Sequence, residues 1–184
     1  MADRKKLEQA ARLILEAIGE DPNREGLLET PRRFAEMIEE QMAYTTVSNE
    51  EIARQFGKTF TSSEEGPVVV KDISIFSHCE HHLALMYHMH VSVGYIPCGR
   101  VIGLSKVARI ADAVSRRLQI QERIGADIRN IIEKVTGSVD VIVRIDGEHS
   151  CMTARGIKKP GAMTTTISSV SYTHLRAHET GAYL

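Results

Sequence analysis

A short run of possible metal ligands, Cys-Glu-His-His at positions 79–82, stands between two segments with strand-like patterns. Cysteine and histidine three positions apart in a turn can direct their ligand atoms at one ion. A third ligand must come from elsewhere, and Cys151 is the natural candidate. Two thiolates and one imidazole form a soft ligand set that suits zinc, and three protein ligands leave one tetrahedral position open for water. The spacing predicts a catalytic zinc site at Cys79, His82 and Cys151. The alternative is a buried free cysteine beside solvated histidines.

Two further histidines, His81 and His149, are expected beside this site. His81 lies inside the run, and His149 precedes Cys151 by two positions, a spacing that puts both on one face if they share a strand. The ordinary pKa of imidazole, about 6.5, suits proton transfer at neutral pH. We therefore expect acid–base chemistry here. The alternative is that one of the two is a surface histidine or only supports the site.

Two polar clusters could hold a substrate. Ser105 is expected to open a helix whose first turns carry Lys106 and Arg109, and a basic helix N-terminus suits phosphate. Gln121 and Glu122 stand between two helical segments, where a carboxylate and an amide could meet a guanine edge. Without other evidence, the simpler interpretation of Lys106 and Arg109 is that they are solvated surface charges. The simpler interpretation of Glu122 is that it is a capping acid at the start of a helix.

The overall composition is that of an ordinary folded protein. The 184 residues are 42% hydrophobic and 26% charged, with a net charge of −1. This balance gives no electrostatic case for binding nucleic acid or an anionic membrane, and no apolar run approaches the roughly 20 residues that span a bilayer. No signal-peptide core follows the N-terminus, and three cysteines are too few for a disulfide framework. We expect a cytoplasmic protein whose cysteines serve a metal ion or catalysis.

The elements that must position these residues follow from the spacing of apolar side chains. The order of helices and strands predicts an α+β protein: an antiparallel four-stranded sheet with a helix pair on one face, preceded by an N-terminal helical segment. Because aromatic residues are few, we expect oligomerisation to cover the other face. The predicted helices are 3–19, 30–42, 49–56, 107–118 and 124–135, and the predicted strands are 68–76, 88–96, 139–145 and 163–169.

Five linked motifs resemble those of GTP cyclohydrolase I in order and spacing. Each is modest alone, but together they are highly specific, and the resemblance covers roughly residues 5–170. The motifs lie at 77–82, 95–97, 101–106, 119–123 and 149–156, with a further match at 29–33.

The resemblance implies the tunnelling fold and a ring-shaped homo-oligomer with active sites at subunit interfaces. It implies that GTP and water become formate and 7,8-dihydroneopterin triphosphate, the first step of tetrahydrofolate or other pterin biosynthesis. In this chain, Cys79, His82 and Cys151 would bind zinc, while His81 and His149 would transfer protons around the imidazole ring of the purine.

The same resemblance implies two sets of substrate contacts. The guanine edge would be held by Gln121, Glu122 and Ser105. The triphosphate would be held by Lys106, Arg109, Arg155 and Arg33.

These observations divide the chain into three parts. We expect an N-terminal helical segment at 1–65, a tunnelling-fold catalytic domain at 66–170 and an atypical tail at 171–184, for which a non-native origin is one explanation. Two other functions stay open. One is a catalytically silent tunnelling-fold protein that binds GTP or a partner, with zinc only structural. The other is a relative such as the nitrile reductase of queuosine synthesis, which would need a catalytic thiol without zinc.

Overall fold

The computed structural model describes residues 2–169. The chain divides into two compact units, Met1–Thr46 and Val47–Leu184. The predicted tail at 171–184 lies outside the described residues. The predicted domain boundary between residues 65 and 66 stays a prediction.

The first unit is helical, as the apolar spacing predicts. Helix α1 spans Arg4–Ala17 and begins where the Asp3 side chain accepts a hydrogen bond from the Lys6 amide. A short 3-10 turn at Glu25–Leu27 precedes α2, which spans Thr30–Gln41 and packs against α1. Arg33, one of the expected triphosphate contacts, lies on α2.

The second unit contains the strands of the described chain and the remaining helices. Helix α3 is fixed at its start by a capping box in which Ser48 and Glu51 each bond to the other's backbone amide. The elements in chain order are α3 (Asn49–Phe56), β1 (Thr59–Thr61), β2 (Val68–Cys79), β3 (Ala84–Tyr95), β4 (Arg100–Ile102), α4 (Leu104–Ser115), β5 (Leu118–Gln119), α5 (Gln121–Thr136), β6 (Val141–His149), α6 (Ser150–Thr153) and β7 (Met163–Ser169).

The main sheet has the order β5-β2-β3-β6-β7. The four predicted strands are confirmed and form its antiparallel part. The strand β5 adds a fifth member and pairs parallel to the end of β2. The predicted number of four therefore needs correction, because a two-residue strand is too short to show a sequence period. Strands β1 and β4 form a separate two-stranded sheet.

One face of the sheet carries the core of this unit, as expected for the helix pair. Helix α4 packs against β2, α5 packs against β6 and β7, and α3 contacts both helices. The other face leaves large apolar side chains exposed, among them Val69, Phe76 and Ile167. The fully buried isoleucines of the helix pair are Ile110, Ile124, Ile128, Ile131 and Ile132.

In the part of the chain that the structure describes, no helix is both long and apolar enough to cross a bilayer.

Strand pairing brings distant segments to one edge of the sheet. The end of β2 pairs with β5 at Cys79 and Gln119, directly before α5 begins. The end of β6 pairs with β3 at His149 and Met86, two positions after β3 begins. Because β2 and β3 are neighbours joined by a tight turn, the candidate ligands and histidines meet at this edge.

A partly buried polar network holds β5 in place beside α3 and α5. The Asp127 carboxylate accepts hydrogen bonds from Asn49 at 2.9 Å and from Gln119 at 3.2 Å, and it lies 3.4 Å from the Arg117 guanidinium. Arg117 also donates to the carbonyl of Val47 at 2.7 Å. The network therefore fixes Gln119, the residue that pairs with Cys79.

Replacing Asp127 with alanine is expected to destabilise the fold by about 1–3 kcal/mol, because the partly buried donors of Asn49 and Gln119 lose their acceptor. Denaturant unfolding followed by circular dichroism measures the change. The control is Glu50→Ala, which removes an exposed ion pair with Lys134 and should cost less than about 1 kcal/mol. Equal costs for the two variants would contradict a structural role for the network.

Candidate metal and active site

Three side chains form a candidate metal group at this edge. One ligand atom each from Cys79, His82 and Cys151 lies within 4.8 Å of the others. Cys79 ends β2, His82 lies in the turn that follows, and Cys151 lies in the helical turn α6. The sequence interpretation placed Cys151 on a strand, which is wrong: β6 ends at His149, and the chain turns before Cys151.

The donor chemistry fits a thiophilic cation. Ligand atoms of a tetrahedral zinc ion are separated by about 3.3–3.8 Å, and the three candidate atoms all lie within 4.8 Å of one another. Burial raises the pKa of the Cys151 thiol, neighbouring Cys79 raises it further, and the cation Arg155 opposes this. Two thiolates this close repel each other, and a divalent cation between them would stabilise both.

The turn that carries His81 and His82 is fixed by contacts to the start of α5. The Glu80 amide donates to the Gln119 carbonyl at 3.0 Å. The Glu80 carboxylate accepts two hydrogen bonds from Arg123, at 2.7 and 3.1 Å, and this guanidinium holds the pKa of Glu80 below its usual value. Sequence reasoning missed this ion pair, because it exists only once β5 has paired with β2.

The helical turn α6 is held against β3 by two side chains. The Ser150 hydroxyl donates to the Leu85 carbonyl at 2.6 Å. The hydroxyls of Tyr87 and Thr153 are hydrogen-bonded at 2.8 Å. These bonds fix the backbone on either side of Cys151. The sequence analysis did not single out Tyr87, and no spacing pattern would have indicated it.

His82 is hydrogen-bonded to a predicted substrate contact. Its Nε2 lies 2.7 Å from a guanidinium nitrogen of Arg155. Since arginine can only donate, Nε2 is the acceptor and the ring proton sits on Nδ1. A metal ion bound at Nε2 would take this lone pair, and one bound at Nδ1 would shift the proton to Nε2. Metal binding at either nitrogen of His82 would therefore break its hydrogen bond to Arg155.

The two candidate acid–base histidines lie near the metal group: His81 contacts one of its members, and His149 precedes Cys151 by two positions. His81 is exposed, and its Nδ1 lies 3.6 Å from the Cys79 sulfur. His149 is half-buried at the end of β6, and its Nε2 lies 2.9 Å from Oε1 of Gln121. Burial lowers the pKa of His149, and the negative charge of Glu122 opposes this effect.

The predicted substrate residues are only partly brought together. Glu122 lies exposed in the first turn of α5 close to His149, and Arg155 lies beside the metal group. Gln121 is buried inside the chain, with 1% of its surface exposed. The remaining predicted contacts of this unit lie on α4 and make no hydrogen bond to the metal group within residues 2–169. They are Ser105, Lys106 and Arg109.

Helix α4 begins at Leu104, earlier than the start expected at Ser105. Gly103 occupies the N-cap position and its carbonyl accepts a hydrogen bond from the Lys106 amide at 2.8 Å. Ser105 is therefore inside the first turn and does not cap the helix. Glycine tolerates the N-cap position almost as well as serine, which is why the sequence pattern misplaced the start.

The fold and the site define a class of protein. It is an α+β enzyme with a candidate metal group of three ligands and two neighbouring histidines. The GTP cyclohydrolase I family model matches residues 7–180, and the chain belongs to this family. The match reaches past residue 170, where the motif resemblance ended. The observed α+β architecture agrees with the fold class expected from the sequence.

Two similar proteins of the same name agree with this assignment. A GTP cyclohydrolase 1 from Clostridium acetobutylicum is 61% identical over 171 residues, which are 90% of this chain and 88% of that protein. The GTP cyclohydrolase 1 from Clostridium beijerinckii is 59% identical and covers 89% of this chain and 86% of its own. A solved archaeosine synthase QueF-Like structure superposes with a TM-score of 0.46 and 17% identity over 60% of this chain and 97% of that one.

Proposed function

We propose that this chain hydrolyses GTP and rearranges the opened ring, giving 7,8-dihydroneopterin triphosphate and formate, at the start of tetrahydrofolate or another pterin pathway. The observation that carries the proposal is the convergence of Cys79, His82 and Cys151 beside His149, in a chain of the GTP cyclohydrolase I family. A hydrolysis of this kind needs an activated water molecule and a group that protonates the purine. The candidate metal group could provide the first, and the neighbouring histidines could provide the second.

The ion that we propose is Zn²⁺, held by Cys79, His82 and Cys151. Two thiolates and an imidazole are the ligand types that zinc prefers, and hard cations such as Mg²⁺ prefer oxygen. When bound, zinc supplies a Lewis acid that lowers the pKa of a water molecule to about 7. The protein supplies the ligand positions through the turn after β2 and the turn α6.

The acid–base steps are assigned to His81 and His149. C8 of guanine is a poor electrophile until N7 carries a proton, and an imidazolium can donate that proton. The later opening of the ring and rearrangement of the sugar need protons moved again, and two imidazoles at one site can exchange roles. The short distance from His81 to Cys79 keeps the first histidine at the metal group.

The substrate contacts are assigned by charge and position. Glu122, exposed at the start of α5, can accept from the N–H groups of a guanine edge, with Ser105 as a second contact. Arginine and lysine suit a triphosphate, because each cation forms charge-assisted hydrogen bonds to phosphate oxygens. The cations proposed for this role are Lys106, Arg109, Arg155 and Arg33.

A ring-shaped homo-oligomer with active sites at subunit interfaces, and a cytoplasmic location, stay part of this proposal. The exposed apolar face of the main sheet supports an interface, because apolar side chains such as Phe76 and Ile167 are stabilised when another surface covers them.

The test is an assay of purified protein with GTP, in which formate, pterin product and bound zinc are all quantified. We expect about one zinc ion per chain and formate equal in amount to the pterin triphosphate. Bound zinc without formate would favour the catalytically silent GTP-binding alternative. A protein without zinc that reduces a nitrile at a cysteine thiol would favour the nitrile reductase alternative.

A further inference from the structure

Gln121 has all of its hydrogen-bonding groups engaged inside the chain. Its side chain is 1% exposed at the first position of α5. The amide nitrogen lies 3.0 Å from the Ile145 carbonyl and 2.9 Å from the Thr164 carbonyl, with the Thr166 hydroxyl at 3.3 Å. A primary amide has two hydrogens, so the two carbonyls already take both.

These carbonyls determine which way the amide faces. A backbone carbonyl can only accept, so the nitrogen of Gln121 must point at Ile145 and Thr164, and the oxygen must point at His149. An amide oxygen is only an acceptor. The His149 Nε2 at 2.9 Å must therefore carry the hydrogen. The neutral ring then keeps a lone pair on Nδ1, which makes no hydrogen bond within residues 2–169.

A glycine in β6 gives the amide its space. A Cβ atom on Gly147 would lie 3.2 Å from Oε1 of Gln121 and 2.9 Å from Cγ of Met89. The second distance is shorter than a Cβ atom tolerates, so a side chain at this position would clash with Met89, and it would also crowd the Gln121 oxygen that accepts from His149. Three elements, α5, β6 and β7, thus fix a single imidazole.

We propose that Gln121 is a positioning residue that holds His149 in one ring orientation and in its Nε2–H tautomer, and that it does not contact the guanine edge. This reassigns the role expected from the family resemblance. It rests on the proposed function in one respect, namely that His149 takes part in proton transfer. Glu122, the exposed neighbour, keeps the assigned guanine contact.

The first test reads the tautomer directly and needs no activity. Protein with ¹⁵N-labelled histidine, loaded with zinc, is examined by long-range ¹⁵N–¹H correlation, and the His149 signals are assigned from their loss in His149→Gln. We expect the Nε2–H pattern in the wild type and a mixture of tautomers in Gln121→Met, which keeps the volume but removes the acceptor. An Nδ1–H wild-type ring, or a tautomer unchanged in Gln121→Met, would overturn the proposal.

The second test separates positioning from substrate contact by kinetics. For Gln121→Met we expect kcat to fall about 10–100-fold, the usual cost of losing a group that orients an active residue, with KM for GTP within about 2-fold. The comparison variant is Glu122→Gln, for which we expect KM to rise. A tenfold higher KM with unchanged kcat in Gln121→Met would show that Gln121 binds substrate and would overturn the proposal.

A second variant keeps the test decisive if Gln121→Met fails to fold. Gly147→Ala crowds Oε1 without removing the donors of Gln121, and it should give the same tautomer mixture and the same fall in kcat. A wild-type protein that shows the Nε2–H tautomer but releases no formate would refute the proposed function and leave the positioning role intact.

Discussion

Replacing Cys151 with alanine is expected to remove the bound zinc and the activity together. The group has only three protein ligands, and no other cysteine, histidine or carboxylate in the described chain completes a similar group. Losing a supporting group outside a ligand set already costs about 10–100-fold, so losing a ligand should cost more than about 100-fold in activity. Zinc content per chain and formate release from GTP, measured on one preparation, check both parts.

Cys98 provides the matched control for this variant. It is a free, exposed cysteine outside the candidate metal group, so Cys98→Ala should retain both zinc and activity. If the Cys151→Ala protein kept a full complement of zinc, the ligand assignment would be wrong. If it lost zinc but kept activity, the metal would be structural.

Replacing Ile128 with alanine is expected to cost about 2–5 kcal/mol of unfolding free energy. Ile128 is fully buried on α5, the helix that packs against β6 and β7. The change removes about 0.8 kcal/mol of transfer energy per carbon and leaves a cavity whose walls lose their contacts. Denaturant titration measures the effect, and the slope of the transition should stay constant if the unfolded state is unchanged.

Asn130→Ala gives the comparison on the same helix. Asn130 is exposed and accepts a surface hydrogen bond from Arg129, so its replacement should change stability by no more than about 0.5 kcal/mol. A similar loss in both variants would contradict the assignment of the Ile128 effect to core packing, because alanine raises the helix propensity at both positions.

The strands and helices were largely predictable because their apolar residues follow regular spacings. In β3, for example, the residues Met89, Val91, Val93 and Tyr95 stand at every second position, and all four are buried. Gly137 ends α5 at a φ of 74°, where glycine avoids the Cβ strain of other residues, and a glycine just after a helical pattern is a signal that the sequence shows. Local periodicity is sufficient for such elements.

The arrangement around the site depended on pairings with no local pattern. Strand β5 is two residues long, yet it places Glu80 beside Arg123 and α5 beside the metal turn. The burial of Gln121 follows from β7 closing over α5, which motif spacing does not report. Residue types identified the ligands, but only the tertiary structure distinguishes a side chain that faces a substrate from one that supports another residue.

Because the candidate ligands are widely separated along the chain, a zinc ion bound to them would be coupled to the folding equilibrium. Cys79 and Cys151 approach only when β2, β3 and β6 have paired, so the unfolded chain offers at best the close pair Cys79 and His82. An ion that binds the native state alone adds about 2.7 kcal/mol of stability at a free concentration 100 times its dissociation constant. The melting temperature should therefore rise with zinc concentration. The concentration of free zinc would then help to determine the fraction of the protein that is folded.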